Sequence, residues 1–139
     1  MPRDKLYASY ASLEPKKEPL PDYNVMEIQN LEHRKKTLKE NGIVCIKLHA
    51  DWCQPCKLIA PDYAKLAKQY HAAGKCLMTK ENVDLELTRD YNITGVPAFI
   101  FYKGGQLVRN QQDNSPVHVV GGDLKSVQEI MSKLIEQGS

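Results

Sequence analysis

The sequence lacks the features by which nucleic-acid-binding and membrane proteins are usually recognised. The net charge of its 139 residues is only +2, and basic residues cluster only at Lys16-Lys17 and at Arg34-Lys35-Lys36. A nucleic-acid interface needs a basic stripe, so we interpret these clusters as solvated surface and expect no nucleic-acid partner. No apolar stretch approaches the roughly 20 residues of a membrane span, and the N-terminus lacks a basic-then-apolar signal pattern. We therefore expect a cytoplasmic protein without membrane contact.

The motifs of hydrolases, phosphate-binding proteins and metalloproteins are missing as well. The glycine pairs Gly104-Gly105 and Gly121-Gly122 have no phosphate-loop pattern around them, and no acidic pair is recognisable as a general acid and base. A zinc site would need further cysteines or histidines at ligand spacing. The four histidines do not supply that spacing; they are His33, His49, His71 and His118. We therefore expect no metal ion.

The cysteines that stand out are the two in the pentapeptide Trp52-Cys53-Gln54-Pro55-Cys56. The pentapeptide follows an apolar run at 43–50, so its two thiols lie where a predicted strand meets a predicted helix. A helix start has unpaired N–H groups and the positive end of the helix dipole, which stabilise a thiolate. We interpret Cys53 as a nucleophile. Cys56, one turn inside the helix, would resolve a mixed disulfide formed on Cys53.

Two further motifs follow along the chain. The first is Ile93-Thr94-Gly95-Val96-Pro97, which leads into an apolar strand and the turn Lys103-Gly104-Gly105, and the second is Val119-Val120-Gly121-Gly122 ahead of a C-terminal helix. In this order the three motifs resemble the thioredoxin family over roughly residues 23 to 137. A cysteine pair alone would be a weak signal, but the three motifs together are a strong one.

The resemblance implies a fold and a redox site. The fold would be the α/β thioredoxin fold, a central mixed β-sheet flanked by helices on both faces. The site would contain a redox disulfide between Cys53 and Cys56, with Pro97 in the cis form beside it. Val96, Pro97 and Gly121 would contact the backbone of an extended substrate.

The other residues of the pentapeptide would complete this substrate surface. Trp52 is the only tryptophan and by resemblance would shield the disulfide; the alternative is a role in the core alone. Gln54 stands where the family usually has glycine. Because residues between the cysteines set the redox potential, Gln54 would tune the potential or the choice of partner, unless it is a surface side chain of little effect. Pro55 would add apolar surface.

The main departure from the family pattern is Lys47, six residues before Cys53. The family commonly has a buried aspartate there, which handles the proton of the resolving cysteine. A protonated lysine below the active site would favour the Cys56 thiolate and stabilise the reduced form, whereas a neutral lysine could serve as the base. The alternative is a lysine that reaches solvent. Two alignments leave either Lys80 or Met78 where the family has the lysine that pairs with that aspartate.

The resemblance also implies a function. The chain would be a protein-disulfide oxidoreductase that exchanges its dithiol with disulfides of protein substrates, acting as a reductase. It would bind no cofactor itself and would be recycled by a thioredoxin reductase that uses NADPH, and we expect a monomer. Two alternatives stay open. One is a thioredoxin-like module that binds a partner without catalysis, and the other is an oxidase or isomerase of higher redox potential.

Two regions are predicted. Residues 1–22 form a Pro-rich arm, extended or poorly ordered, because its prolines disfavour both helix and sheet; they are Pro2, Pro15, Pro19 and Pro21. Residues 23–139 form the thioredoxin-like domain. The apolar residues of the arm would dock on the domain or on a partner, unless the arm is a plain tail; they are Leu6, Tyr7, Tyr10 and Leu13.

Periodicity and turn signals predict nine elements. Strands are predicted at 23–29, 43–50, 75–83, 98–102 and 106–112, and helices at 31–40, 53–73, 85–91 and 123–136. Gly74 would end the second helix, Asp123 would cap the last one, and a loop around 113–116 would interrupt the edge strand. Cys45 and Cys76 are predicted to be buried free thiols. His49 is predicted to be a packing residue, with an influence on Cys53 as the alternative.

Overall fold

A computed structural model describes residues 25–83, 91 and 93–137. The helices are α1 (Leu31–Glu40), α2 (Gln54–Tyr70) and α3 (Leu124–Gln137). The strands are β1 (Glu27–Ile28), β2 (Ile43–His49), β3 (Cys76–Asn82), β4 (Ala98–Lys103), β5 (Gln106–Leu107) and β6 (His118–Val120). The predicted arm at 1–22 and the predicted helix at 85–91, apart from Tyr91, lie outside the described residues. Within those residues, no helix combines the length and the apolar character needed to cross a membrane.

The strands form one mixed sheet. Its order is β1-β3-β2-β4-β5, and β6 also pairs with β4. β3 is parallel to β1 and β2, whereas β4 is antiparallel to β2, β5 and β6. The parallel strands β2 and β3 therefore have their carboxyl ends at one edge of the sheet, and the residues that follow those ends meet there.

Helices cover both faces of this sheet, as the predicted fold class requires. On one face, Tyr63 and Leu66 of α2 and Val127 and Met131 of α3 pack against the sheet in one apolar core. On the other face, Leu38 of α1 packs against a second core that includes strand residues and Tyr91. The central strand β2 is buried between the two cores, with only its last residue partly exposed.

Side-chain caps explain where two of the helices begin. The Asn30 side-chain oxygen accepts a hydrogen bond from the backbone N–H of His33 at 2.8 Å, and α1 has the predicted bounds. Asp123 accepts from the backbone N–H of Ser126 at 3.1 Å and from its hydroxyl at 2.7 Å. These two bonds lower the pKa of the Asp123 carboxyl, which is the protonation behaviour of an N-cap carboxylate.

Three predicted elements are too long. Strand β1 has two residues, Glu27 and Ile28, where the prediction was 23–29. Helix α2 ends at Tyr70 because the chain then turns back tightly, with Ala72 and Cys76 bonded to each other, and Gly74 lies inside this turn and not at the helix end. Strand β5 has two residues where seven were predicted. The predicted loop replaces the rest of the strand, because the side chains of Asn110 and Asp113 accept backbone N–H bonds that a ladder would have used.

Candidate active site

The site begins where β2 ends and α2 starts. Cys53 has an extended backbone and is the N-cap of α2, and its sulfur accepts a hydrogen bond from the backbone N–H of Cys56 at 3.2 Å. Pro55 lies in the first turn, where a missing N–H costs no hydrogen bond. A turn held by the Cys53 N–H and the Ala50 carbonyl, 3.1 Å apart, sets the angle at which the chain enters the helix.

Cys53 and Cys56 form a disulfide, which is the pairing that the resemblance implied. Their Cα atoms are 5.3 Å apart, and both residues are only 3% exposed. The first turn of α2 contains no acidic side chain, so no carboxylate in that turn offsets the positive end of the helix dipole. After reduction, this helix start would favour a thiolate on Cys53.

The three side chains beside the cysteines point to solvent. Trp52 is 68% exposed, so the alternative of a role in the core alone is wrong. Gln54 and Pro55 are exposed as well. The pentapeptide thus presents one aromatic, one amide and one proline side chain around a disulfide that is itself buried.

The chain around Pro97 lies beside the disulfide. The Val96–Pro97 peptide bond is cis, as the resemblance implied, and Val96 packs against the small cluster of Ala50, Cys53 and Cys56. Gly121 joins this group because its backbone N–H donates to the Pro97 carbonyl at 2.7 Å. The φ of Gly121 is +97°, and a Cβ built on it would meet no atom within 4 Å. The space in front of Gly121 is therefore open.

Lys47 is buried, so the alternative of a lysine that reaches solvent is wrong. It is 2% exposed and lies on the sheet face that α2 covers, with its Nζ 5.2 Å from the centre of the Tyr63 ring. Tyr63 is seven residues after Cys56 on the same helix, which places the two side chains on one face of α2. The register pairs Lys47 with Lys80, not with Met78, so Lys80 is its neighbour on β3.

The other two cysteines are buried free thiols, as predicted. Burial raises the pKa of Cys45 to about 12, with a smaller opposite effect from its hydrogen bond to Tyr63. Burial also raises the pKa of Cys76. Both thiols stay protonated at neutral pH. Neither thiol has the solvent access of a reactive cysteine.

Two features of the site were missed by sequence reasoning. Val83 packs beside Val96 against the cysteine cluster. Its position one residue beyond β3, at the same edge as the end of β2, was the signal that could have found it. His49 was predicted to pack, but its Nε2 is 2.9 Å from the Glu27 carboxylate, so it is a partly buried polar contact.

Among the residues that the structure describes, no group of three His, Cys, Asp or Glu side chains could hold a metal ion.

A buried disulfide at a helix start, next to a cis proline at the edge of a mixed sheet, defines the domain as a thiol–disulfide oxidoreductase. The sequence model of the family described as Thioredoxin matches residues 24–125. The chain belongs to the thioredoxin family.

Relatives and solved structures agree. Thioredoxin of Neurospora crassa is 31% identical over 112 residues, covering 79% of this chain and 86% of that protein. Thioredoxin-T of Drosophila melanogaster is 41% identical over 73 residues, or 51% of this chain, but the match spans only 45% of that protein. The oxidised crystal structure of mitochondrial Thioredoxin 3 from Saccharomyces cerevisiae has a TM-score of 0.68 and 23% identity, covering 82% of this chain and 99% of that one. At that identity the likeness shows the fold alone.

Proposed function

We propose that this chain reduces disulfides in protein substrates. The observation that carries the proposal is the Cys53–Cys56 disulfide at the start of α2, with Val96 packed against it and Gly121 bonded to Pro97. This arrangement places two half-buried residues, Val96 and Gly121, on either side of a buried Pro97 and next to the dithiol. A reductase of extended protein segments needs both a dithiol and a binding surface beside it.

The proposed reaction has two exchange steps. The Cys53 thiolate attacks one sulfur of the substrate disulfide, a Cys53–substrate S–S bond forms, and the other substrate sulfur leaves as a thiolate that takes up a proton. Cys56 then gives up its proton and attacks the Cys53 sulfur. The intramolecular disulfide forms and the second substrate sulfur leaves, so two electrons have passed to the substrate.

The substrate would lie extended over Val96, Pro97 and Gly121. The open space in front of Gly121 supports this placement of the substrate. A side chain at residue 121 would occupy that space, whereas glycine leaves it free. The exposed side chains of Trp52, Gln54 and Pro55 would contact the substrate from the other side of the disulfide. Apolar and aromatic surface of this kind is typical of protein-binding sites.

Lys47 lies on the sheet face that α2 covers, and from there it would modulate the redox potential of the dithiol. Its burial against Tyr63, on the face of α2 that Cys56 shares, supports an electrostatic effect on the resolving thiol, because charges act over longer distances where water is excluded. A protonated Lys47 would favour the Cys56 thiolate and so stabilise the reduced protein. This would make the chain a weaker reductant than a family member with aspartate at the same place.

The proposal includes a recycling partner and a compartment. A thioredoxin reductase that uses NADPH would return the disulfide to the dithiol, and the chain would act as a monomer without a cofactor of its own. The chain would act in a reducing compartment such as the cytoplasm, where Cys45 and Cys76 would stay thiols.

An equilibrium redox titration tests the proposed direction. The purified protein would be titrated in dithiothreitol and glutathione buffers, with Trp52 fluorescence as the signal. A two-electron midpoint near about −270 mV supports a reductase, whereas one near about −180 mV or above would overturn that direction in favour of an oxidase or isomerase. The buried Lys47 is the observation that favours this second candidate. A protein that fails to cycle would be a binding module, for which the exposed Trp52 would be the contact.

A further inference from the structure

A second buried polar cluster lies on the sheet face that α1 covers, away from the dithiol. It consists of Arg34 on α1, Glu81 on β3, Tyr91, and Tyr102 on β4. The Arg34 Nη1 is 3.3 Å from Glu81 Oε2 and also donates to the Tyr91 hydroxyl. The hydroxyls of Tyr91 and Tyr102 are 2.7 Å apart. Three elements of the fold therefore meet at one tyrosine.

The cluster is costly to bury. Glu81 is fully buried, and the side chain of Arg34 is 12% exposed. Within the described part of the chain, Glu81 Oε1 has no hydrogen-bond partner. A buried ion pair seldom adds net stability, because desolvation of both charges offsets their attraction. Stability alone is therefore a weak explanation for this pair.

The cluster instead fixes the position of Tyr91. The guanidinium lies over the tyrosine ring, with Cζ 5.2 Å from the ring centre, while the hydroxyl is held by both Arg34 and Tyr102. Tyr91 comes six residues before Pro97, and Ile93 and Val96 pack against the same apolar core as Tyr91. The chain that carries Val96 and Pro97 is thus anchored at this tyrosine.

We propose that Arg34 is a positioning residue for substrate binding: by holding Tyr91, it fixes the chain that presents Val96 and Pro97 to the substrate. The proposal rests on the reductase function proposed above and adds to it a determinant of affinity for protein disulfides. Small displacements of a binding group weaken binding strongly, because recognition groups must be held within about 0.5 Å. Arg34 itself touches neither cysteine nor substrate.

This role separates the affinity for protein substrates from the reactivity of the dithiol. A protein substrate needs the backbone beside Pro97, whereas exchange with a small disulfide needs only the dithiol. Loss of Arg34 should therefore raise KM for protein disulfides and leave kcat unchanged, since weaker uniform binding raises KM alone. The midpoint potential and the rate with a small disulfide should stay as they are.

The test compares Arg34→Met with Arg34→Lys and with Lys36→Met, a control on the exposed side of α1. With a disulfide-containing protein such as insulin as substrate, Arg34→Met should raise KM about tenfold, which is typical of a residue that acts on binding through other residues. Arg34→Lys should recover only part of the affinity, because an ammonium group cannot make the planar set of contacts. Lys36→Met should behave as the wild type.

Tyr102→Phe is the second variant, because it removes one hydroxyl and keeps the ring. It should raise KM by a smaller factor without a change in potential. Wild-type KM in both Arg34→Met and Tyr102→Phe would overturn the proposal. So would a parallel loss of small-disulfide exchange, which would indicate a structural role only. A wild-type protein that exchanges small disulfides but not protein disulfides would overturn the proposed function and this inference together.

Discussion

The two faces of the sheet each bury an ionisable side chain, in different surroundings. On the α2 side, Lys47 lies over the ring of Tyr63, against the helix that carries the dithiol. On the α1 side, Glu81 meets the guanidinium of Arg34, which also holds Tyr91 on the way to Pro97. The difference teaches that a buried charge acts on what it lies against. In the two proposals above, the α2 face would affect the chemistry of sulfur and the α1 face the position of the substrate.

The largest effect should come from the thiols that both faces serve. Cys53→Ser should abolish turnover of protein disulfides, because a hydroxyl cannot replace the thiolate nucleophile. Cys56→Ser should instead accumulate mixed disulfides with substrate, since the resolving thiol is missing. Insulin reduction measures the first result and non-reducing mass spectrometry the second. Residual turnover by Cys53→Ser would contradict the assigned roles.

The next largest effect should be on the redox potential, and only a substitution on the α2 face should cause it. Lys47→Met keeps the aliphatic stem and removes the ammonium group that, in our proposal, supports the reduced form electrostatically. We expect the midpoint to become more negative by about 30 mV, which corresponds to about 1.4 kcal/mol for two electrons. Lys47→Asp should shift it further in the same direction.

The matched measurement is the redox titration of Arg34→Met, whose charge change lies on the α1 face. Its midpoint should equal that of the wild type. An unchanged midpoint in Lys47→Met, or an equal shift in both variants, would remove the distinction between the faces.

A hydroxyl deletion on the α2 face should affect stability and not substrate affinity. The Tyr63 hydroxyl donates to the Thr79 carbonyl at 2.6 Å and is fully buried. Tyr63→Phe leaves that carbonyl without this donor, so the free energy of unfolding should fall by about 1 kcal/mol. Urea denaturation measures the change. A rise in KM for protein disulfides like that expected of Tyr102→Phe would show that both faces position the substrate.

The smallest expected effect is on the pH dependence of stability, and it comes from Glu81 on the α1 face. Burial raises the pKa of Glu81 above its ordinary value of 4.5, Arg34 acts in the opposite direction, and Glu27 adds to the rise. The folded protein therefore holds this proton more tightly than the unfolded chain does. The stability from this group is complete below the ordinary pKa and is lost as pH rises through the raised one.

Glu81→Gln removes this titration. The unfolding free energy of the variant, relative to wild type, should increase as pH is raised from about 4 to about 7. Denaturation of both proteins at several pH values measures this difference. A difference that stays constant with pH would show that Glu81 does not titrate as described.

Features that depend on local sequence could be predicted. Helix α1 has its predicted bounds because Asn30 caps it from the adjacent turn. The dithiol was predicted from its place between a predicted strand and a predicted helix, whereas Pro97 and Gly121 were predicted from motifs that resemble the thioredoxin family. The structure adds their spatial proximity, through the packing of Val96 and the bond from Gly121.

Features that depend on distant partners could not be predicted. Whether Lys47 is buried depends on Tyr63, which reaches it from another element. Arg34 meets Glu81 and Tyr91 across 47 and 57 residues of sequence. Sequence periodicity and motifs do not reveal such long-range contacts, because each of these residues, considered alone, is compatible with an exposed position. The shortened β5 was missed for a different reason, since its turn depends on side-chain hydrogen bonds that compete with the ladder.

The raised pKa values of Cys45 and Cys76 have a practical consequence for chemical biology. The sequence contains four cysteines, and these two are buried and remain thiols at neutral pH. Cys53 and Cys56 are no more exposed than Cys76, but the start of α2 favours a thiolate on Cys53, so an alkylating probe added to the folded, reduced protein should react first at Cys53. A fluorophore or a photocrosslinker could be installed at the start of α2 in the native sequence, and clients could be captured there without the removal of any background cysteine.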